Sequence, residues 1–291
     1  MTVVTLLEIY MWRSHLAVDM KIIESLVILF LFSLADDVIN LSSFKQFLLH
    51  IIAAFMAVHY GNLQVNYLGP IFGHSPLVLS PVISQIFSII ALVGVINALN
   101  MLDGINGLLG SFTILLASLF LALGIFYHHD LVAFLAAILL SIFSGFMIFN
   151  FPYIKKNKHR KVIFMGDTGS SLAGFMLYWI IIEINRSQAV PFISPISMVW
   201  FLALPLMDML RVMLKRLHFK VSLGQPDRLH FHHVLIANKW EHLPIVMLSF
   251  IMSLFFIAIG CLSFFGVPDA MLFLLFWIVF FFYKNQWNRR L

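Results

Sequence analysis

The stretch Asn97-Ala98-Leu99-Asn100-Met101-Leu102-Asp103-Gly104-Ile105-Asn106-Gly107-Leu108-Leu109-Gly110 separates two long apolar runs, residues 81–96 and 108–127, neither of which carries a charged side chain. A helix needs about 20 apolar residues to cross a bilayer core. Apolar run, polar break and apolar run therefore read as two membrane helices meeting at one surface. An ionisable group in the bilayer core costs from about 3 to more than 10 kcal/mol. The insert is thus a water-facing loop or a binding site. Asn97, Asn100 and Asp103 recur every third residue, which places them on one face at a helix end. Asn106-Gly107 is a turn signal, and the glycines keep side chains out of the way. A plain polar interhelical loop remains the alternative for this segment taken alone.

The rest of the chain supports a membrane fold. Of 291 residues, 62% are hydrophobic and 11% charged, against about 45–50% apolar in soluble domains, and the mean hydropathy is +0.99. The apolar stretches are continuous and do not alternate as barrel strands do. They fall near 22–35, 46–60, 81–98, 108–127, 131–150, 171–184, 193–210, 244–266 and 270–283. The expected fold is all-α and polytopic, with about nine transmembrane helices and residues 1–291 forming one membrane domain. Cys261 is the only cysteine, which excludes a disulfide framework or a cysteine-based metal site. Residues 1–12 lack a basic n-region and contain Glu8, unlike a signal peptide.

The net charge of +5 comes from Lys and Arg clustered beside the apolar runs, which points to topology and away from nucleic acid. Threading the runs alternately puts Arg13, Lys21 and Arg186 on one side and every other Lys and Arg of the 18 on the other, including the basic segment 155–161. The richer side should be cytoplasmic. That threading uses no motif, yet it places Asp36-Asp37, residues 97–110, residues 166–171 and His230 to His233 on the same face.

Each of these groups has its own chemistry. Gly166-Asp167-Thr168-Gly169-Ser170-Ser171 opens an apolar run. A helix N-terminus attracts anions, and Asp167 beside an anion requires a bridging cation. Mg²⁺ is held by one or two carboxylates plus substrate phosphates. An ordinary capped helix is the alternative. Asp36-Asp37 closes the run 22–35, where the helix dipole disfavours acids. Adjacent residues point about 100° apart, so one carboxylate can bind while the other caps or pairs. Asp227-Arg228-Leu229-His230-Phe231-His232-His233 follows Lys215, Arg216 and Lys220. Imidazoles beside guanidinium and ammonium groups suit phosphate or uridine-type ligands. A zinc site and a basic loop attracted to anionic lipid are the alternatives. Asp208 is either a partner for Arg211 (i, i+3) or part of the site, and His128-His129-Asp130 reads as a turn on the far side.

Taken together, Asp36-Asp37, Asn97-x-x-Asn100-x-x-Asp103-Gly104, Gly166-Asp167-x-Gly169-Ser170 and His230-x-His232-His233 resemble, in order, the motifs of the polyprenyl-phosphate N-acetylhexosamine-1-phosphate transferases. Residues 164–170, 204–209 and 226–233 look like the branch that transfers N-acetylglucosamine-1-phosphate to undecaprenyl phosphate, and the muramoyl-pentapeptide branch is less similar in the histidine loop. The resemblance runs from about Leu26 to the C-terminus. It implies transfer of N-acetylglucosamine-1-phosphate from UDP-N-acetylglucosamine to undecaprenyl phosphate, releasing UMP. This would be the first membrane step of O-antigen, lipopolysaccharide or related surface-glycan synthesis, in a bacterial inner membrane.

The resemblance also implies roles. Asp36, Asp37, Asp103 and Asp167 would be catalytic. Asp167, joined by Asp36, Asp37 or Asp103, would hold Mg²⁺ or Mn²⁺. Asn97, Asn100, Asn106, Gly166, Ser170, Arg216, Arg228, His230, His232 and His233 would bind substrate. The oligomeric state, including a homodimer, stays open.

Two positions depart from the family pattern, Asn40 and Asn106, where the family carries aspartates, and only 35 residues precede Asp36. The family's N-terminal helices are therefore expected to be missing or degenerate before about residue 20. The second reading is a truncated relative that binds nucleotide sugar or lipid without turnover. A transporter, the third, would call for an inverted repeat, and none is found.

Overall fold

The computed structural model describes residues 18–73, 75–152, 163–186, 193–221 and 228–288. The N-terminal segment 1–16 with Arg13, the basic segment 155–161, Pro226-Asp227 and Arg289-Arg290 lie outside the described residues. The helices are α1 (Met20–Ile39), α2 (Ser43–His59), α3 (Pro81–Leu102), α4 (Leu108–Phe126), α5 (Asp130–Asn150), α6 (Gly166–Arg186), α7 (Pro195–Phe201), α8 (Ala203–His218), α9 (Phe231–Ala237), α10 (His242–Gly260) and α11 (Asp269–Asn288), with a 3₁₀ turn at Cys261–Phe265. Among the described residues regular structure is helical apart from one isolated antiparallel bridge, Tyr67 to Val78, in the loop after α2.

The expected count of nine membrane helices is corrected. Among the described residues, five helices are long and apolar enough to cross a membrane: α3, α4, α5, α10 extended through the 3₁₀ turn, and α11. The number is six if α7 and α8, bent by 77°, count as one span. The shortfall has physical causes. Helix α1 carries Lys21, Glu24, Asp36 and Asp37, and α2 has only 17 residues. Helix α6 begins with a polar turn and ends on Glu183, Asn185 and Arg186. The run 193–210 is broken at Leu202 because Pro205 lacks the N–H that would bond the Phe201 carbonyl.

Helix α6 is the hub of the bundle. It packs against α1, α3, α4 and α5, and most of its side chains, including Phe175, Tyr178 and Trp179, are buried. A Cβ at Gly174 would fall 2.7 Å from the Ile96 Cα, so the bare glycine lets the α3 and α6 backbones meet closely, as small residues do between membrane helices. Helices α4 and α5 form a tight antiparallel pair, closed at the far end by His128 in the left-handed region and by His129, whose Nδ1 accepts from the Val132 N–H. At that position His129 serves as a helix cap. Trp200 of α7 is fully buried and donates its indole N–H to the Leu272 carbonyl of α11, which ties the C-terminal helix to the core.

Candidate active site

The end of α1 meets the start of α6. Asp36, buried, accepts from the Leu41 N–H at 2.8 Å and so closes its own helix end. Asn40 takes the left-handed conformation there, φ 54°, a geometry asparagine tolerates well. Asp37 points across to α6: its carboxylate accepts from the Asp167 N–H at 3.1 Å and the Thr168 hydroxyl at 2.6 Å. A carboxylate 130 positions away in sequence thus supplies the N-terminal cap of α6. Gly166 makes this approach possible. Its φ is +68°, and a Cβ there would lie 2.9 Å from an Asp37 oxygen.

Asp167 accepts from the Gln46 amide of α2 at 2.8 Å. Asp36, Asp37 and Asp103 all lie near enough to act on its charge. Among the described residues no Lys, Arg or His forms a salt bridge with any of these four carboxylates. Burial, reinforced by the Asp167 charge, pushes the Asp103 carboxyl up to about 6 from its ordinary 3.8. Such an oxygen-rich, cation-poor cluster fits a hard divalent ion. No three His, Cys, Asp or Glu side chains among the described residues stand close enough to hold one alone. An ion here would complete its shell with ligand oxygens and water, as Mg²⁺ does.

Residues 97–110 form the wall between two clusters. Asn100 accepts from the Ser170 hydroxyl at 2.9 Å. Ser170 is fully buried and so braces the site from beneath. The Asn97 amide donates to the Val93 carbonyl at 2.7 Å and faces His50 Nδ1 at 3.4 Å; His50 Nε2 faces the Ser171 hydroxyl at 3.4 Å. These bonds turn Asn97 toward α2 and α6. The Gly107 N–H donates to Asn150 Oδ1 at 2.6 Å, while Asn150 Nδ2 donates to the Ile163 carbonyl at 2.8 Å. One buried amide thereby fixes the insert against the segment leading into Gly166. Asn106 lies in the same turn, half-buried.

The insert also reaches the histidines. A Cβ at Gly104 would fall 2.0 Å from His232 Nε2, so the α9 imidazole rests on the residue next to Asp103. His232 is fully buried, and neither ring nitrogen has a hydrogen-bond partner among the described residues. Burial first, then the neighbouring His233, hold its pKa down to about 3. It stacks 5.8 Å from His230, and His233 lies 4.2 Å from it and 6.2 Å from His230. His230 is held by Asp208 at 2.7 Å. Arg216, at the end of α8, is buried, and Arg228 is exposed at the rim.

Asp36, Asp37, Asp103, Gly166 and Asp167 therefore gather at one end of the bundle, with His232 across Gly104. Asn97 and Ser170 sit beneath them. Sequence reading overlooked Gln46, His50 and Asn150. His50 and Asn150 were detectable as lone polar residues in apolar runs, where a buried polar group requires a partner. Gln46, at the start of its run, carried no such signal.

Known proteins are similar to this chain in sequence. The family model described as glycosyl transferase family 4 covers residues 20–185. Three proteins named undecaprenyl-phosphate alpha-N-acetylglucosaminyl 1-phosphate transferase are similar. That of Escherichia coli K12 is 32% identical over 239 residues, 79% of this chain and 63% of its own length. That of Haemophilus influenzae is 32% identical over 283 residues, 92% and 77%. That of Pasteurella multocida is 34% identical over 272 residues, 91% and 73%. The chain thus spans just under two thirds of the length of the E. coli relative.

Proposed function

The chain belongs to glycosyl transferase family 4, and from that premise we propose that it transfers N-acetylglucosamine-1-phosphate from UDP-N-acetylglucosamine to undecaprenyl phosphate. The active site faces the cytoplasm of a bacterial inner membrane. A lipid-phosphate oxygen attacks the β-phosphorus and the bond from that phosphorus to the bridging oxygen breaks. UMP leaves with the electron pair, and undecaprenyl-diphospho-N-acetylglucosamine remains in the membrane.

The observation that carries this reading is the Asp103-Gly104 turn. On one side stand carboxylates with no cationic partner among the described residues; on the other stands a buried imidazole with no hydrogen-bond partner among them. Phosphoryl transfer asks a protein chiefly for positioning and charge compensation. Mg²⁺, or Mn²⁺ in its place, held by Asp167 joined by one of Asp103, Asp36 and Asp37, with the diphosphate and water completing its shell, would supply neutralisation of the diphosphate. Asp37 orients the α6 N-terminus, and Asn100, braced by Ser170, faces the donor. His230, His232 and His233, with Arg216 and Arg228, contact the nucleotide sugar. The second pKa of a phosphate monoester is about 6, so the acceptor needs little deprotonation near neutrality. The acids at 36 and 37 therefore position and compensate charge more than they act as bases.

Membranes carrying the chain should transfer labelled N-acetylglucosamine-1-phosphate to undecaprenyl phosphate. Asp167→Asn should lower the rate by about 10²–10³-fold, the scale of removing a principal charge-stabilising group. Transfer unaffected by that substitution would remove Asp167 from the chemistry. Donor binding without any turnover would favour the truncated, non-catalytic reading.

A further inference from the structure

Asp208 is the most heavily bonded carboxylate among the described residues. It is buried on α8 and receives four donors from three parts of the chain, α8, the histidine turn and α11. Arg211 Nη2 donates to Oδ1 at 2.9 Å, the Tyr283 hydroxyl of α11 at 3.1 Å, and the Phe231 N–H at 3.1 Å. Oδ2 lies 2.7 Å from His230 Nδ1. Arg211 also donates to the Leu229 carbonyl, the residue just before His230. One turn beyond Tyr283, Trp287 packs on Phe231 with ring centroids 6.0 Å apart. Helices α8 and α11 thus grip the histidine turn from both sides.

This geometry constrains the imidazole. A carboxylate at 2.7 Å from Nδ1 can only accept, so Nδ1 carries a proton whatever the charge on the ring. Any bond His230 makes to a ligand then goes through Nε2. A carboxylate partner fixing tautomer and ring orientation is the device that metal-bound and catalytic histidines commonly use. The Phe231 N–H bond adds a positional constraint, because Oδ1 caps the first turn of α9 and sets where His232 and His233 begin.

We propose that Asp208 and Tyr283 are positioning residues of the reaction: Asp208, steadied by the Tyr283 hydroxyl and Arg211, locks the tautomer of His230 and the register of the histidine turn against Gly104. The proposal rests on the reading of that turn as the nucleotide-sugar contact. The role it gives to α11 is to set the site from behind without touching substrate.

The test uses the full chain in lipid nanodiscs, with ¹⁵N-labelled histidine and His230 assigned by substitution. The parent should show His230 protonated at Nδ1. Asp208→Asn should shift that proton toward Nε2 and lower kcat by about 10–100-fold, with the KM for undecaprenyl phosphate unchanged. Asp208→Asn also strips Arg211 of its counter-charge, so Tyr283→Phe, which leaves both ions in place, is the second variant. It should fold as the parent does and lose less than about tenfold in kcat. An unchanged His230 tautomer in both variants, or activity losses matched by equal losses of folded protein, would overturn the proposal. If the parent shows no transfer at all, the functional reading fails, and the tautomer measurement still decides whether Asp208 governs His230.

Discussion

At the junction of α1 and α6, four carboxylates share a small space with Gln46, Thr168 and backbone N–H groups as their partners. At the junction of α8, α9 and α11, a single carboxylate is enclosed by Arg211, His230, Tyr283 and a backbone N–H. Both regions use the same local device, an aspartate from one helix capping the first turn of another. They differ in charge balance. The first has surplus negative charge; the second is compensated within the protein. Removing an acid should therefore relieve the first region and damage the second, so stability and activity separate the two.

The largest contrast lies between Asp208→Asn and Asp167→Asn. Breaking a buried ion pair costs about 3–5 kcal/mol because the remaining charge stays buried, so Asp208→Asn should lower the melting temperature strongly. Asp167→Asn should leave it unchanged or raise it, since like-charge repulsion is removed. Thermal unfolding in one detergent checks both, and a marked loss in Asp167→Asn would contradict the contrast. Next comes the seam between the regions. In Gly104→Ala the new methyl would occupy the place of His232 Nε2, so the imidazole must move. Affinity for UDP-N-acetylglucosamine should drop at least tenfold, while Gly94→Ala, with open space around its Cβ position, should bind as the parent does. Isothermal titration compares them, and equal affinities would separate the histidine turn from the donor site.

The smallest effect is in pH dependence. In the unfolded chain Asp103 ionises near its ordinary value of 3.8, but in the folded protein near about 6. The folded state holds the proton more tightly, so stability falls as pH rises from about 4 through 6, with the full penalty above 6. Without divalent cations, the melting temperature of the parent should gain on acidification from pH 7.5 to 5.5 relative to Asp103→Asn. Parallel curves for the two proteins would refute the assignment.

Much of this was legible in the sequence. Uninterrupted apolar runs marked α3, α4, α5 and α10 because membrane helices obey a length rule. Placement of the basic residues gathered the polar motifs at one end, where Asp37, Asp167 and Gly104 meet. The reading failed where burial inside protein replaced burial in lipid. Helix α6 is sheltered by its neighbours and tolerates polar ends, α1 carries acids near both its ends and α2 is short, so among the described residues the expected nine spans fell to five or six. Capping within the Asp36-Asp37 pair and the pairing of Asp208 with Arg211 were legible; the distant partners of Asp37 and Asp208 were not. Nothing in the spacing of Asp37 and Thr168, or of Asp208 and Tyr283, announces that helices far apart in sequence meet there.

The central claim is a phosphoglycosyl transfer across a site hinged on Asp103-Gly104. It is tested most directly with UDP-N-acetylglucosamine labelled at the β-phosphorus, undecaprenyl phosphate and the full chain in Mg²⁺-containing membranes. The account predicts that the label moves into the lipid fraction while unlabelled UMP appears in equal amount. Label retained in released UDP, with sugar alone on the lipid, would contradict it.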